Sequence, residues 1–114
     1  MHELPVAKHI LEIAIRNANN NHAVKVTDIF LVIGKLSSMV DNSIQFYWDI
    51  ISRNSIAEGS RLHFKRIPIE IRCLECANQY HPKSEDLTCP NCHSTRIKIL
   101  AGDEFFVEAV NIEK

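Results

Sequence analysis

Only three of the 114 residues are glycine, and they stand far apart at positions 34, 59 and 102. That scarcity excludes the glycine-rich loop whose backbone amides cradle phosphate groups in nucleotide-binding proteins. Positive charge is not in excess: thirteen lysines and arginines face fourteen acids, for a formal net charge of −1. With no basic run either, non-specific attraction to nucleic acid is not expected. No apolar stretch approaches the length needed to cross a bilayer, about 20 residues. The first residues lack the basic segment followed by an apolar run that marks a secretory signal. Together these absences predict a cytoplasmic protein, in a compartment where thiols stay reduced. No nucleophile–base motif, internal repeat or low-complexity tract is present, which argues against catalytic turnover. Cysteine is absent everywhere except positions 73 to 92, where four occur.

What is present is enough for one α+β domain with a small appendage. Apolar residues make up 46% of the chain and charged residues 24%, as in ordinary soluble domains. Pro5 suits the first turn of a helix, where its missing N–H has no partner to lose. From Val6 to about Asn17, Ile10, Ile13 and Ala14 recur at helical spacing, and the asparagine-rich stretch to His22 ends the run. Val24 to Ile33 reads as a strand buried on both faces in its second half. Asp41, Asn42 and Ser43 are all competent to cap a second helix, with Ile44, Trp48 and Ile51 facing inward and the helix fading by Asn54. Leu62 to Ile71 is a further extended run interrupted by Pro68, which implies an edge position or a bulge. Ile97 and Ile99 suggest a short strand, and Phe105 to Ile112 an alternating one. The predicted architecture is a small mixed sheet of about three strands packed with two helices, plus an inserted zinc-ribbon module. Residues 1–70 with 101–114 form the α+β domain and residues 71–100 the ribbon.

Cys73-x-x-Cys76 and Cys89-x-x-Cys92 carry the strongest chemical signal. Two such pairs can form two tight knuckles that converge on one tetrahedral ion, and four thiolates with no open position describe a structural zinc site. A rubredoxin-like iron centre uses the same ligands, but such carriers are small, strongly acidic and lack a large helical companion. A nucleic-acid-binding ribbon would set basic and aromatic residues around the knuckles, whereas this insertion holds Lys83, Glu85 and Asp86 with Tyr80 alone aromatic. A redox dithiol needs a single CxxC, and a disulfide pair conflicts with a reducing compartment. His81 and His93 lie near the cysteines as solvated or supporting groups, or as substitutes for a thiolate.

Met1-His2-Glu3 offers a second, open set of donors. The α-amine, the deprotonated amide of His2 and the imidazole Nδ1 form fused chelate rings suited to nickel(II) or copper(II), with Glu3 adding a further donor. The amine has an unperturbed pKa of about 7.7–8.0, so the metal displaces protons and affinity falls in acid. The alternative is a frayed terminus with no ligand. His9, His22 and His63 are candidates to complete such a sphere, or surface and structural histidines.

Met1-His2-Glu3-Leu4, the four cysteines and the closing Gly102-Asp103-Glu104-Phe105 together resemble the HypA/HybF family. Ile33-Gly34-Lys35-Leu36-Ser37 and Ala57-Glu58-Gly59 match in the expected order, so the resemblance spans nearly the whole chain. It implies a nickel metallochaperone, not an enzyme, that helps mature nickel–iron hydrogenase and in some organisms urease. It further implies nickel bound through Met1, His2 and Glu3, with zinc held by Cys73, Cys76, Cys89 and Cys92. The implied partners are a HypB-type GTPase, the hydrogenase large subunit and urease maturation proteins, with neither nucleic acid nor membrane. The chain departs from some relatives in one place: their knuckles are each followed by histidine, whereas here Ala77 follows Cys76 and His93 follows Cys92. The competing reading is a zinc-ribbon module that binds protein or RNA and has no nickel role.

Overall fold

The computed structural model describes residues 3–39 and 41–114. In chain order the elements are α1 (Glu3–Asn20), β1 (Lys25–Gly34), α2 (Asp41–Ile51), β2 (Arg61–Ile67), β3 (Glu70–Cys73), β4 (Gln79–Tyr80), β5 (Ile97–Ala101) and β6 (Phe105–Glu113). They build two three-stranded sheets, ordered β2-β1-β6 and β4-β3-β5. The α+β class expected from the sequence is the one observed. No helix among the described residues is long and apolar enough to cross a membrane.

Helix α1 buries Ala7, Ile10, Ala14 and Ala18, a spacing of three and four that keeps one face on the core. Three of the four are alanines, which lets α1 pack closely on α2. The helix runs past Asn17 to Asn20 and closes with a Schellman motif. The Ala23 N–H donates to Ala18 O at 2.9 Å, the His22 N–H donates to Asn19 O at 3.2 Å, and His22 takes φ of 56°. His22 thus occupies the left-handed position usually given to glycine. Asn21 Nδ2 adds a bond to Asn17 O at 2.8 Å.

Strand β1 carries the centre of the core, with Val26, Ile29, Leu31, Val32 and Ile33 all buried. The continuous apolar run in its second half is therefore covered on both faces. β1 and β6 are antiparallel: Val24 N–H bonds Glu113 O and Gly34 N–H bonds Glu104 O, each at 2.8 Å. Lys35 N–H bonds Ile67 O at 2.8 Å, which sets the C-terminal ends of β1 and β2 side by side in the parallel arrangement. The sheet is thus mixed, and α2 supplies the crossover that a parallel pair requires. On α2, Ile44 and Trp48 are buried, and Trp48 Nε1 donates to Ser60 Oγ at 2.9 Å. That bond satisfies a donor which would otherwise cost stability at full burial.

Pro68 divides the extended run after Gly59 more completely than an edge or bulge would: β2 stays in the first sheet and β3 is the central strand of the second. β3 pairs with β4 through Ile71↔Tyr80 and with β5 through Ile71↔Ile99 and Cys73↔Ile97, antiparallel in both cases. Cα packing separates the chain into one unit of 1–32, 38–65 and 106–114 and another of 33–37 and 66–105. Within the second unit the backbones approach so closely that a Cβ on Gly34 would lie 1.9 Å from Gly102 O. Gly102 has φ of 107°, a value that glycine adopts freely.

Because His22 is an L-residue in left-handed geometry, His22→Gly should raise stability by about 1 kcal/mol. Urea unfolding of the two proteins measures this. A lower midpoint for the glycine variant would show that the His22 side chain contributes more than its backbone strain removes.

Candidate metal centre

The second unit brings all four cysteines together. Cys73 ends β3, and Cys76 follows one tight turn later; Cys89 and Cys92 lie on the equivalent turn before β5. The two turns have the same construction. The Ala77 N–H donates to Cys73 O at 3.0 Å and the His93 N–H to Cys89 O at 2.8 Å. Ala77 and His93 both take positive φ, 64° and 62°. Each left-handed residue folds the chain back so that the second sulfur of its pair swings toward the first. The turns are tied to the sheet by Leu74 N–H on Arg96 O at 2.9 Å and Cys73 N–H on Asn78 O at 2.8 Å. Tyr80 O–H donates to Leu87 O and anchors the loop between the knuckles.

All four Sγ atoms lie within 4.8 Å of one another. Across the knuckles Cys73 Sγ is 3.5 Å from Cys92 Sγ, and Cys76 Sγ is 3.6 Å from Cys89 Sγ. Those separations are far beyond a disulfide bond, about 2.05 Å, and all four cysteines are free. They suit four sulfurs around a shared ion, whose edges run about 3.7 Å when each metal–sulfur bond is about 2.3 Å. Cys73 and Cys89 are buried while Cys76 and Cys92 are exposed, so one side of the cluster meets solvent.

The electrostatics favour a cation at the centre. Burial opposes ionisation of Cys89, yet the amides of Cys92 and Asn91 outweigh it and pull the thiol down to about 6. The Asn91 side-chain amide, 3.5 Å from Cys76 Sγ, leads the groups that lower Cys76. For Cys92 the Ser94 amide favours the thiolate, but the Cys73 sulfur, burial and the other two sulfurs prevail and push it up to about 12. Some thiols of the set ionise readily and then hold back their neighbours. A divalent cation at the centre removes that conflict and lets all four act as thiolates. Amides donating to sulfur, such as Glu75 N–H on Cys73 at 3.4 Å and Asn78 Nδ2 near Cys89 at 3.8 Å, spread the negative charge further. The donor set therefore fits a closed, four-coordinate ion.

Among the described residues, no other group of three or more His, Cys, Asp or Glu side chains is close enough to share an ion. His81 sits outside the cluster, with Nδ1 donating to Ile69 O at 2.8 Å, and His93 serves through its backbone in the second knuckle. His22 caps α1. His63 Nε2 lies 2.8 Å from Asp28 Oδ1, and its ring stacks on Phe30 at 4.6 Å. Of the N-terminal donors, Met1 and His2 lie outside the described residues, and Glu3 opens α1. Cysteine spacing alone did not point to the left-handed Ala77 and His93 or to the Asn78 and Asn91 amides. Asparagine beside a knuckle was the available signal for the latter.

Comparison with known proteins agrees with this picture. A family model described as hydrogenase/urease nickel incorporation, metallochaperone, hypA matches residues 1–112. The hydrogenase maturation factor HypA of Dehalococcoides mccartyi (strain ATCC BAA-2266 / KCTC 15142 / 195) is 35% identical over 99% of this chain and 95% of its own length. The hydrogenase maturation factor HybF of Escherichia coli (strain K12) is 30% identical over 99% of this chain and 100% of its own. The fold is shared with the solution structure of the nickel metallochaperone HypA from Helicobacter pylori, with a TM-score of 0.67 and 23% identity over 99% and 98% of the two chains. A second solution structure of a HypA protein superposes with a TM-score of 0.72. The chain belongs to the HypA family of hydrogenase/urease nickel-incorporation metallochaperones, which are maturation factors and not enzymes.

Proposed function

We propose that this protein carries nickel(II) at its N-terminus for insertion into nickel–iron hydrogenase, and in a suitable host urease, while a separate zinc ion holds its ribbon together. The observation that carries this reading is the four-sulfur cluster. Four sulfurs, two of them buried, with amides supporting the set, suffice to saturate a tetrahedral ion. Such a site retains its metal and has no vacant position through which to pass it on. A protein of a nickel-incorporation family then needs its cargo elsewhere, on ligands that can let go.

Met1, His2 and Glu3 supply such a set at the start of the family match. With the Met1 amine free, the amine, the His2 amide nitrogen and the imidazole bind nickel in a plane of nitrogen donors, with Glu3 at hand for a further contact. Zinc prefers the thiolates of Cys73, Cys76, Cys89 and Cys92, which keeps the two metals apart. In this division, residues 1–70 with 101–114 form the nickel-binding domain and residues 71–100 the zinc ribbon. A HypB-type GTPase, the hydrogenase large subunit and urease maturation proteins are the partners the family suggests, acting in the cytoplasm.

Two experiments test the assignment. Tag-free protein and His2→Ala are titrated with nickel, and both metals are counted in the same samples. The unaltered chain should bind nickel, His2→Ala should lose it by at least about tenfold in affinity, and zinc should be equal in both. Nickel bound equally by both proteins would leave the ribbon as an interaction module with no cargo site at the terminus. In the second, Cys76→Ser should lose its zinc to a chelator that leaves the unaltered protein loaded, and the second unit should then unfold. The binding energy of a structural zinc, on the order of 10–16 kcal/mol in small modules, is folding energy there. Normal zinc content and an unchanged melting curve for Cys76→Ser would contradict the structural role.

A further inference from the structure

β2 is an edge strand: in the first sheet it pairs with β1 on one side, and among the described residues no strand lies on the other. Ile67 O bonds the Lys35 N–H, so the odd-numbered residues of β2 turn their backbone groups toward β1. Leu62 and Phe64 therefore turn theirs outward. The Leu62 N–H meets a side chain there, donating to Gln45 Oε1 at 3.0 Å. Gln45 belongs to α2, and together with Asp41 and Asn42 it forms the far wall of a groove of about 480 Å3 along Arg61, Leu62, His63 and Phe64, with Asp41 on the helix side and not on the face of Arg61 and Lys65. The outward C=O of Leu62 and the N–H and C=O of Phe64 border this groove.

The strand is also unusually basic for a chain of net charge −1. Alternation places the side chains of Arg61, His63 and Lys65 on one face at successive pairs of positions. Arg61 and Lys65 are exposed, and His63 is fixed between them by its bond to Asp28 and its stack on Phe30. Asp28 of β1 meets this row through His63, and its carboxyl is held below the usual range by bonds from His63 and Thr27, with the charge of Arg61 adding to them. Its bond goes to His63, and one carboxylate against Arg61 and Lys65 leaves positive charge in excess along the row.

We propose that β2 is a docking edge for an extended acidic segment of a partner protein, which adds to the sheet as a further strand in the groove beside α2. Main-chain bonds to Leu62 and Phe64 hold such a segment, and acidic side chains at alternate positions meet Arg61 and Lys65. Gln45 acts as a plug on the empty edge, occupying one donor that would otherwise invite indiscriminate pairing. The groove shares no residue with the four cysteines or the N-terminal donors, so this inference stands or falls apart from the metal assignment.

The probe is a blocked, fluorescein-labelled peptide that alternates glutamate with valine and is long enough to span β2. It is titrated with the zinc-loaded full chain while anisotropy and backbone amide shifts are followed. Saturable binding is expected, with the largest shifts at Leu62 and Phe64. The double variant Arg61→Glu, Lys65→Glu should bind about tenfold more weakly, as two favourable cross-strand charge pairs become repulsive. Gln45→Ala, which frees the Leu62 N–H, should bind several-fold more tightly. The same peptide with a central proline, or with lysine for glutamate, should not bind. Binding unchanged by the charge reversal, shifts centred outside β2, or no binding even to Gln45→Ala would overturn the proposal. So would self-association that buries β2 against β6 of a second copy, since that would give the edge a different occupant.

Discussion

The convergence of four sulfurs on one point governs the second unit. Between Cys73 and Ile97 the chain forms one two-residue strand and otherwise only turns, and few of its side chains are buried. Hydrophobic burial cannot offset the conformational entropy of ordering such a segment, about 1–2 kcal/mol per residue for the backbone alone. The turns hold two non-glycine residues, Ala77 and His93, in left-handed geometry, an arrangement that itself costs free energy. Metal–thiolate bonding is the interaction large enough to outweigh both. The amides of Asn78 and Asn91 and the backbone N–H groups that surround the sulfurs are the supporting layer that makes a dense cluster of negative charge tolerable.

The first unit rests on different physics. Its core is built of apolar side chains, with Ala7, Ile10, Ala14, Ala18, Ile29, Leu31, Ile44 and Trp48 all buried, and the indole N–H of Trp48 finds its partner in Ser60. Its stability rests on that packing and not on the cysteine cluster, which lies in the second unit. A tightly held structural ion and an exchangeable cargo ion thus make opposite demands on their surroundings. Thiolates inside a folded ribbon meet the first demand. In the proposed division of labour, the amine of Met1 and the imidazole of His2 would meet the second.

Much of this was legible in the residues. The apolar spacing of α1, the continuous run in β1, the helix start at Asp41 and the alternation in β6, which breaks once at Glu108 and Ala109, each encode an element directly, because burial and hydrogen bonding act on adjacent residues. The two CxxC spacings likewise encode a shared ion site. What stayed hidden depends on contacts distant in sequence. Pro68 announced a break, but whether the chain bulged or changed sheets was settled by the pairing of Ile71 with Tyr80 and Ile99. The end of α1 was placed near Asn17 because asparagines are poor helix formers, yet bonds from His22 and Ala23 carried the helix to Asn20. Gln79–Tyr80 is too short to give any period. His22 and His63 could be read either as further nickel ligands or as surface and structural histidines; the fold uses one as a helix cap and the other as the partner of Asp28 and Phe30.

X-ray absorption on protein loaded with both metals, read at each element's own edge, tests the separation of the two sites most directly. Zinc should be surrounded by four sulfurs at about 2.3 Å and nickel by nitrogen and oxygen alone, in a planar arrangement. Sulfur scattering at the nickel edge, or nitrogen replacing sulfur around zinc, would mean that the metals share the cysteine cluster and would contradict the division between structural and carried ion.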